Sequence, residues 1–118
     1  MNTGILLKHN GEISEVSIDM SLYTNNIAKL LNDEITFLGQ ILREPQKTNA
    51  IIIYEKNSIQ KKRPKNKCIL PKPFENDIYG DIFIISMNSN SEPESFTIND
   101  YNDYINNYDS IYKTKYYF

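Results

Sequence analysis

Four sets of residues have side chains that do chemistry, and each also has a plainer reading. His9 is the only histidine in the chain. If Asn10-Gly11 forms a two-residue turn, His9 falls across from Glu12, and a carboxylate that orients an imidazole is the arrangement of a general base. Such a base needs a nucleophile and a pocket converging on it; none is placed by sequence, so a solvated turn residue is the expectation. Cys68 is the only cysteine. The charges of Lys65 and Lys67 would lower its pKa and favour the thiolate, while the plainer reading is a small hydrophobe entering a strand. One cysteine and one histidine build neither an intramolecular disulfide nor the usual Cys/His zinc site. Asp77, Asp81, Asp100 and Asp103 are oxygen donors for a hard cation. However, Asp100-x-Asn102-Asp103 lacks the glycine and terminal glutamate of an EF-hand loop. Asp100 reads better as an acid in the first turn of a helix, where the dipole favours it. No phosphate-binding loop, dinucleotide fingerprint or nucleophile elbow occurs. The expectation is a protein without enzymatic activity, metal or cofactor.

The fourth set is the stretch KNSIQKKRPKNK, residues 56–67. Lys61, Lys62, Arg63, Lys65 and Lys67 are candidates for an anionic or nucleic-acid contact, sufficient for salt-sensitive, non-specific phosphate binding. Residues 61–65 also resemble a nuclear localisation signal, a pattern of low specificity. No aromatic side chain is interleaved from 55 to 73, so single-stranded bases have no stacking platform there. A solvated connector is the plainer reading. The other distinctive surface is aromatic: Tyr101, Tyr104, Tyr108 and Tyr112 are candidates for a protein interface, because tyrosine combines large contact area with a polar tip. Packing of a helix on a sheet accounts for the same residues.

Charge is segregated along the chain. The formal net charge is −2. Residues 1–54 carry four Lys/Arg against six acids, residues 55–72 seven against one, and residues 73–118 two against eight. A basic segment inside an acidic chain is the one polarisation available for steering. At 118 residues, 40% hydrophobic and 24% charged, the expectation is one globular domain over residues 1–110, with 111–118 as a C-terminal tail. No apolar run approaches the roughly 20 residues that span a bilayer. The start MNTGILLKHNGE lacks the features of a signal peptide. An intracellular protein with no membrane partner is therefore expected.

The elements that must position these residues follow from periodicity. Residues 3–19 read as a β-hairpin with Asn10-Gly11 in a type I′ turn. That register sets Ile5 opposite Val16 and places Ile5, Leu7, Val16 and Ile18 on one face. Residues 21–33 read as a short helix capped by Thr24 or Ser21, with Ile27, Leu30 and Leu31 inward and Asn32 at its end. Strands follow at 34–42, with Gly39 at a bulge, and at 48–56, whose unbroken apolar run predicts cover on both faces. After the basic connector come an extended stretch through Pro71 and Pro73, a strand at 78–88 and a polar loop at 89–95. Thr97 caps a helix over 96–110 with Asp100 at N3, and Phe96 and Tyr101 form its staple. Ile98, Tyr101, Tyr104, Ile105 and Tyr108 lie along its apolar face. The fold class is α+β: hairpin, helix and further strands in a mixed or antiparallel sheet, with a C-terminal helix, in a β-grasp-like variant.

Three segments, TFLGQ (36–40), LPKPF (70–74) and YGDIFIISMNSNSEPESFTINDY (79–101), are together similar to a family of small uncharacterised proteins of nucleocytoplasmic large DNA viruses, of the mimivirus-like and marseillevirus-like groups. Gly80-Asp81, Ile82 to Ile85, Met87, Glu92-Pro93 and Phe96-Thr97 fill the places of its final motif. The AT-rich codon bias toward Ile, Asn, Lys and Tyr agrees with that source. The resemblance implies a viral protein in the host cytoplasm, in the virion or in the nucleus, and carries no activity. Two functions are expected in order: an interaction, adaptor or assembly domain binding a viral or host protein, then an accessory nucleic-acid-binding protein using the basic connector.

Overall fold

A computed structural model describes residues 2–19, 26–31, 34–43, 48–70, 77–88, 90, 92–106 and 112–116. The elements are β1 (Asn2–Leu7), β2 (Ile13–Ile18), α1 (Asn26–Leu30), β3 (Ile35–Arg43), β4 (Thr48–Glu55), β5 (Ile82–Met87), β6 (Pro93–Glu94), α2 (Ile98–Asn106) and β7 (Tyr112–Tyr116). All strands join one sheet in the order β2-β1-β5-β4-β3-β7, with the short β6 beside β5. Every pairing is antiparallel, so the sheet is antiparallel rather than mixed and the class is α+β.

Strand alternation sorts the apolar residues into two cores. Ile5, Leu7, Ala50, Ile52, Ile82 and Ile84 face one side, under Ile78, Phe96 and Tyr101. Leu6, Ile51, Ile53, Phe83 and Ile85 face the other, with Leu31 and the partly buried Ile27 and Leu30 of the α1 region. The unbroken runs of β4 and β5 are therefore explained: both faces of these central strands are covered. Each fully buried side chain of this size contributes about 1.5–3 kcal/mol. Gly4 is required by close approach, because a Cβ there would lie 2.9 Å from the Ile84 carbonyl oxygen and within the Phe83 ring.

The hairpin register differs from the sequence expectation. Leu7 pairs with Ile13 and Ile5 with Glu15, while Val16 lies opposite Gly4. Of Asn10 and Gly11 only Gly11 has positive φ, at +99°, so Asn10 does not adopt the conformation a type I′ turn demands. Instead Lys8 N–H donates to the Glu12 carbonyl at 2.8 Å and Gly11 N–H to the Lys8 carbonyl at 3.0 Å. A three-residue loop results, closed by a glycine in the left-handed region. This one-residue slip sends Val16 and Ile18 to the α1 side, away from Ile5 and Leu7.

Other boundaries shift too. α1 begins at Asn26; the expected caps Ser21 and Thr24, and Asn32, lie outside the described residues. The bulge stands where expected, with a register shift between Phe37 and Gly39. β5 is shorter than 78–88, and Tyr79 makes only an isolated bridge to Lys65. The polar loop contains β6, and part of the segment expected as a tail forms β7 against β3. The helix cap is as expected: Thr97 N–H donates to Asp100 Oδ2 at 2.9 Å and Asp100 N–H to Thr97 Oγ1 at 3.2 Å. Phe96 and Tyr101 are both buried in the core. Ile98 is a correction, since it is 36% exposed; at the first helical position it lies beyond the packed stripe.

Candidate functional site

The basic connector is held against the end of the sheet by its own charges. Residues 57–63 coil through backbone bonds from Lys61 N–H to Asn57 and from Arg63 N–H to Ser58, both at 3.0 Å. Inside that coil sits the carboxylate of Glu55, a residue only 3% exposed. Arg63 Nε donates to Glu55 Oε2 at 3.1 Å, and Lys61 Nζ lies 3.3 Å from Oε1. Lys65 Nζ pairs with Asp77 Oδ1 at 2.9 Å, and that bond, with the charge of Asp77, raises the Lys65 pKa. Asn66 fixes the rest. Its Nδ2 donates to the carbonyls of Leu7 (2.9 Å) and Gly80 (2.8 Å), and its Oδ1 accepts from Cys68 N–H (2.8 Å). Of the five candidate anion-binding residues, Lys62 and Lys67 make no ion pair among the described residues.

His9 and Cys68 are brought to the same region, yet not as a catalytic pair. Asp81, not Glu12, orients the histidine: His9 Nδ1 lies 3.2 Å from Asp81 Oδ1, which also accepts from His9 N–H at 2.9 Å. Glu12 instead pairs with Lys8 at 3.6 Å. The Cys68 thiol donates to the Lys8 carbonyl at 3.4 Å. Burial, then the negative charge of Asp81, pushes its pKa up. The expected effect of Lys65 and Lys67 is therefore reversed, and Cys68 packs against the core as a small hydrophobe. The acids are dispersed: Asp77 serves Lys65, Asp81 serves His9, and Asp100 caps α2. Among the described residues, no cluster of three His, Cys, Asp or Glu side chains is placed to hold a metal ion.

Beside this region is an open groove of about 310 Å³. The hairpin contributes Gly11 and Ile13, the connector Lys67, Cys68 and Ile69, and α2 contributes Tyr101, Asn102 and Ile105. Tyr101 is buried, and its hydroxyl donates to the Ile69 carbonyl, holding the connector against α2. Burial, with a smaller contribution from Cys68, pushes the Tyr101 pKa up to about 12. Ile13 and Ile69 are 40% and 68% exposed. Two branched apolar side chains are thus presented to solvent beside a recess in which Lys67 is the one charged lining residue among those described.

Tyr101, a candidate interface residue, is a core residue that shapes the groove from below. Tyr104 lies within α2 and Tyr112 opens β7; Tyr108 lies outside the described residues. Ile13 and Ile69 were not singled out from sequence: the expected register puts Ile13 on the face away from Ile5 and Leu7, and Ile69 stands in the extended stretch after the connector. The three-residue turn sets Ile13 opposite Leu7, on the face where the groove lies.

A model of the family of unknown function DUF5880 matches residues 5–104. No curated protein and no solved structure matches the chain.

Proposed function

We propose, from the premise that the chain belongs to the family of unknown function DUF5880, that it is a non-enzymatic viral interaction domain, an adaptor or assembly subunit working through protein–protein contact. The observation that carries this reading is the groove with Ile13 and Ile69 exposed at its rim. Its occupant is a peptide segment bearing a branched apolar side chain next to a carboxylate, the first seated between Ile69 and Ile105 and the second on Lys67. Side chains seated in well-packed, desolvated pockets are the usual energetic centre of an interface. The viral source is read from the resemblance of segments 36–40, 70–74 and 79–101, and on that reading the partner, viral or host, is met in the host cytoplasm, the virion or the nucleus. The finer architectural reading, β-grasp-like, rests on the order hairpin, helix and further strands.

An NMR titration of the labelled protein with peptides alternating Leu or Ile with Glu tests this. Amide shifts at Gly11, Cys68, Ile69 and Asn102 are expected, and should be lost in Ile69→Glu, whose exposed position leaves folding intact. Unmoved amides at millimolar peptide would sink the reading. Mass spectrometry of purified virions tests the source.

A second reading, an accessory nucleic-acid-binding protein, is favoured by Lys62 and Lys67, which are exposed and make no ion pair among the described residues. With Lys61, Arg63 and Lys65 engaged internally, the binding would have a salt slope no steeper than about −2. Fluorescence anisotropy with duplex DNA measures it, and no binding at about 50 mM salt excludes this reading.

A further inference from the structure

The sheet ends in two edges of opposite charge. Among the described residues β2 pairs only with β1, and β7 only with β3. The bond from Lys8 N–H to the Glu12 carbonyl, with the pairings Leu6↔Ser14 and Gly4↔Val16, sets the phase of the hairpin ladder. Residues 14, 16 and 18 turn their backbone groups toward β1, so Ile13, Glu15 and Ser17 turn theirs outward. A row of unpaired N–H and C=O groups is a template for another strand unless lysine, proline or a bulge blunts it. ISEVSI contains none of these. The Glu15 carboxylate is occupied elsewhere, accepting from Ile98 N–H at 2.8 Å. Glu12, Glu15 and Asp19 lie in or beside β2, and with only Lys8, paired to Glu12 at 3.6 Å, against them before Lys29 this edge is net negative. β7, YKTKY, has the opposite sign: residues 110–118 hold Lys113 and Lys115 and no acid, so its lysines blunt this edge against a like or neutral strand and leave an acidic strand as the one it accepts.

We propose that copies of this chain join edge to edge, β2 of one against β7 of the next, so that one sheet continues from subunit to subunit. β2 on β2 sets acid near acid, and β7 on β7 sets lysine near lysine. The mixed pairing is the attractive one, and the like pairings are selected against. The lengths match, at six and five residues. The contact is heterologous, so it generates rings or filaments rather than a closed two-fold dimer. The inference rests on the reading of the protein as an assembly subunit and names its partner as a second copy.

Sedimentation velocity on the full chain over a concentration series tests it. A wild-type mass climbing beyond twice 13.8 kDa, and falling as salt is raised, is expected. Ser17→Pro removes an outward N–H and leaves the β1 ladder whole, so this variant should be monomeric. K113E/K115E should be monomeric too. Mixed in equal amounts, the two variants should form a 1:1 dimer and nothing larger, because each retains one competent edge. Ser17→Lys, which blunts the edge without touching the backbone, serves if circular dichroism shows that the proline variant is unfolded. A wild-type monomer at sub-millimolar concentration, or a K113E/K115E protein that assembles as wild type does, overturns the proposal. The peptide titration can be run on monomeric Ser17→Lys, so failure of assembly and failure of groove binding are separately visible.

Discussion

Asn66 shows how much one polar side chain can fix. Its amide satisfies the carbonyls of Leu7 and Gly80 and the N–H of Cys68, tying the connector to β1 and to the start of β5. Asn66→Ala leaves these groups without that partner in a buried site, at about 1–3 kcal/mol for an unsatisfied group. Urea unfolding should show a loss of about 3 kcal/mol, where a surface substitution would stay within about 0.5. Tyr101 gives a pH signature. Its phenol is held neutral in the fold up to about pH 12, against 10.0 ordinarily. Between those values the unfolded chain sheds a proton that the folded chain keeps, so stability falls as pH rises through that window. Urea midpoints should decline there less steeply in Tyr101→Phe than in the wild type, which isolates this tyrosine from the others. The burial of Tyr101 was legible from its place in the staple; its bond to Ile69 and the role of Asn66 were not. Asn66 reads as one polar residue among several in a charged run, and the contact that decides His9 is made by Asp81, 72 positions away.

At the scale of elements, local chemistry reads well and turn geometry reads badly. Thr97 and Asp100 announce the start of α2, and Gly39 the bulge, because each effect is complete within a few residues. The hairpin register was missed because Asn10-Gly11 favours a two-residue turn, while the same glycine also closes a three-residue one. The choice between them is made by which residues reach the two cores. That choice set Ile13 on the face of Ile5 and Leu7, where it lines the groove. The connector shows the same limit in charge: its lysines and arginine read as a solvated run, while Arg63 and Lys61 enclose Glu55. Glu55→Ala should release the coil. Hydrogen exchange is expected to quicken at the amides of Lys61, Lys62 and Arg63 while the β4–β5 amides stay protected. The cost is about 1–2 kcal/mol, below the ~3–5 for breaking a fully buried pair, because Arg63 and Lys61 are each 39% exposed and regain water.

For the molecule as a whole, the α+β class was legible because the apolar runs at 48–56 and 78–88 have the length and composition of central strands. Strand order was not: no local signal says that β5 inserts between β1 and β4. That position makes β5 the common wall of both cores, with Ile82 and Ile84 on one side and Phe83 and Ile85 on the other. Phe83→Ala should cost about 3–5 kcal/mol. Circular dichroism and tyrosine fluorescence should lose their signals at one shared denaturant midpoint; separate midpoints would show that the two faces fold independently.

The insertion of β5 also bears on how the chain is made. Both hairpins, β1–β2 and β3–β4, precede residue 82 in the chain and so emerge from the ribosome before β5 does. Until then the inner edges of β1 and β4 have no partner to pair with. Translation therefore passes through an interval in which two sticky half-sheets wait for one missing strand, and closing the gap needs contacts far apart in sequence, which form slowly. Strong expression at low temperature, or a chaperone that shields extended apolar segments, should raise the yield of folded protein more than any change to its surface.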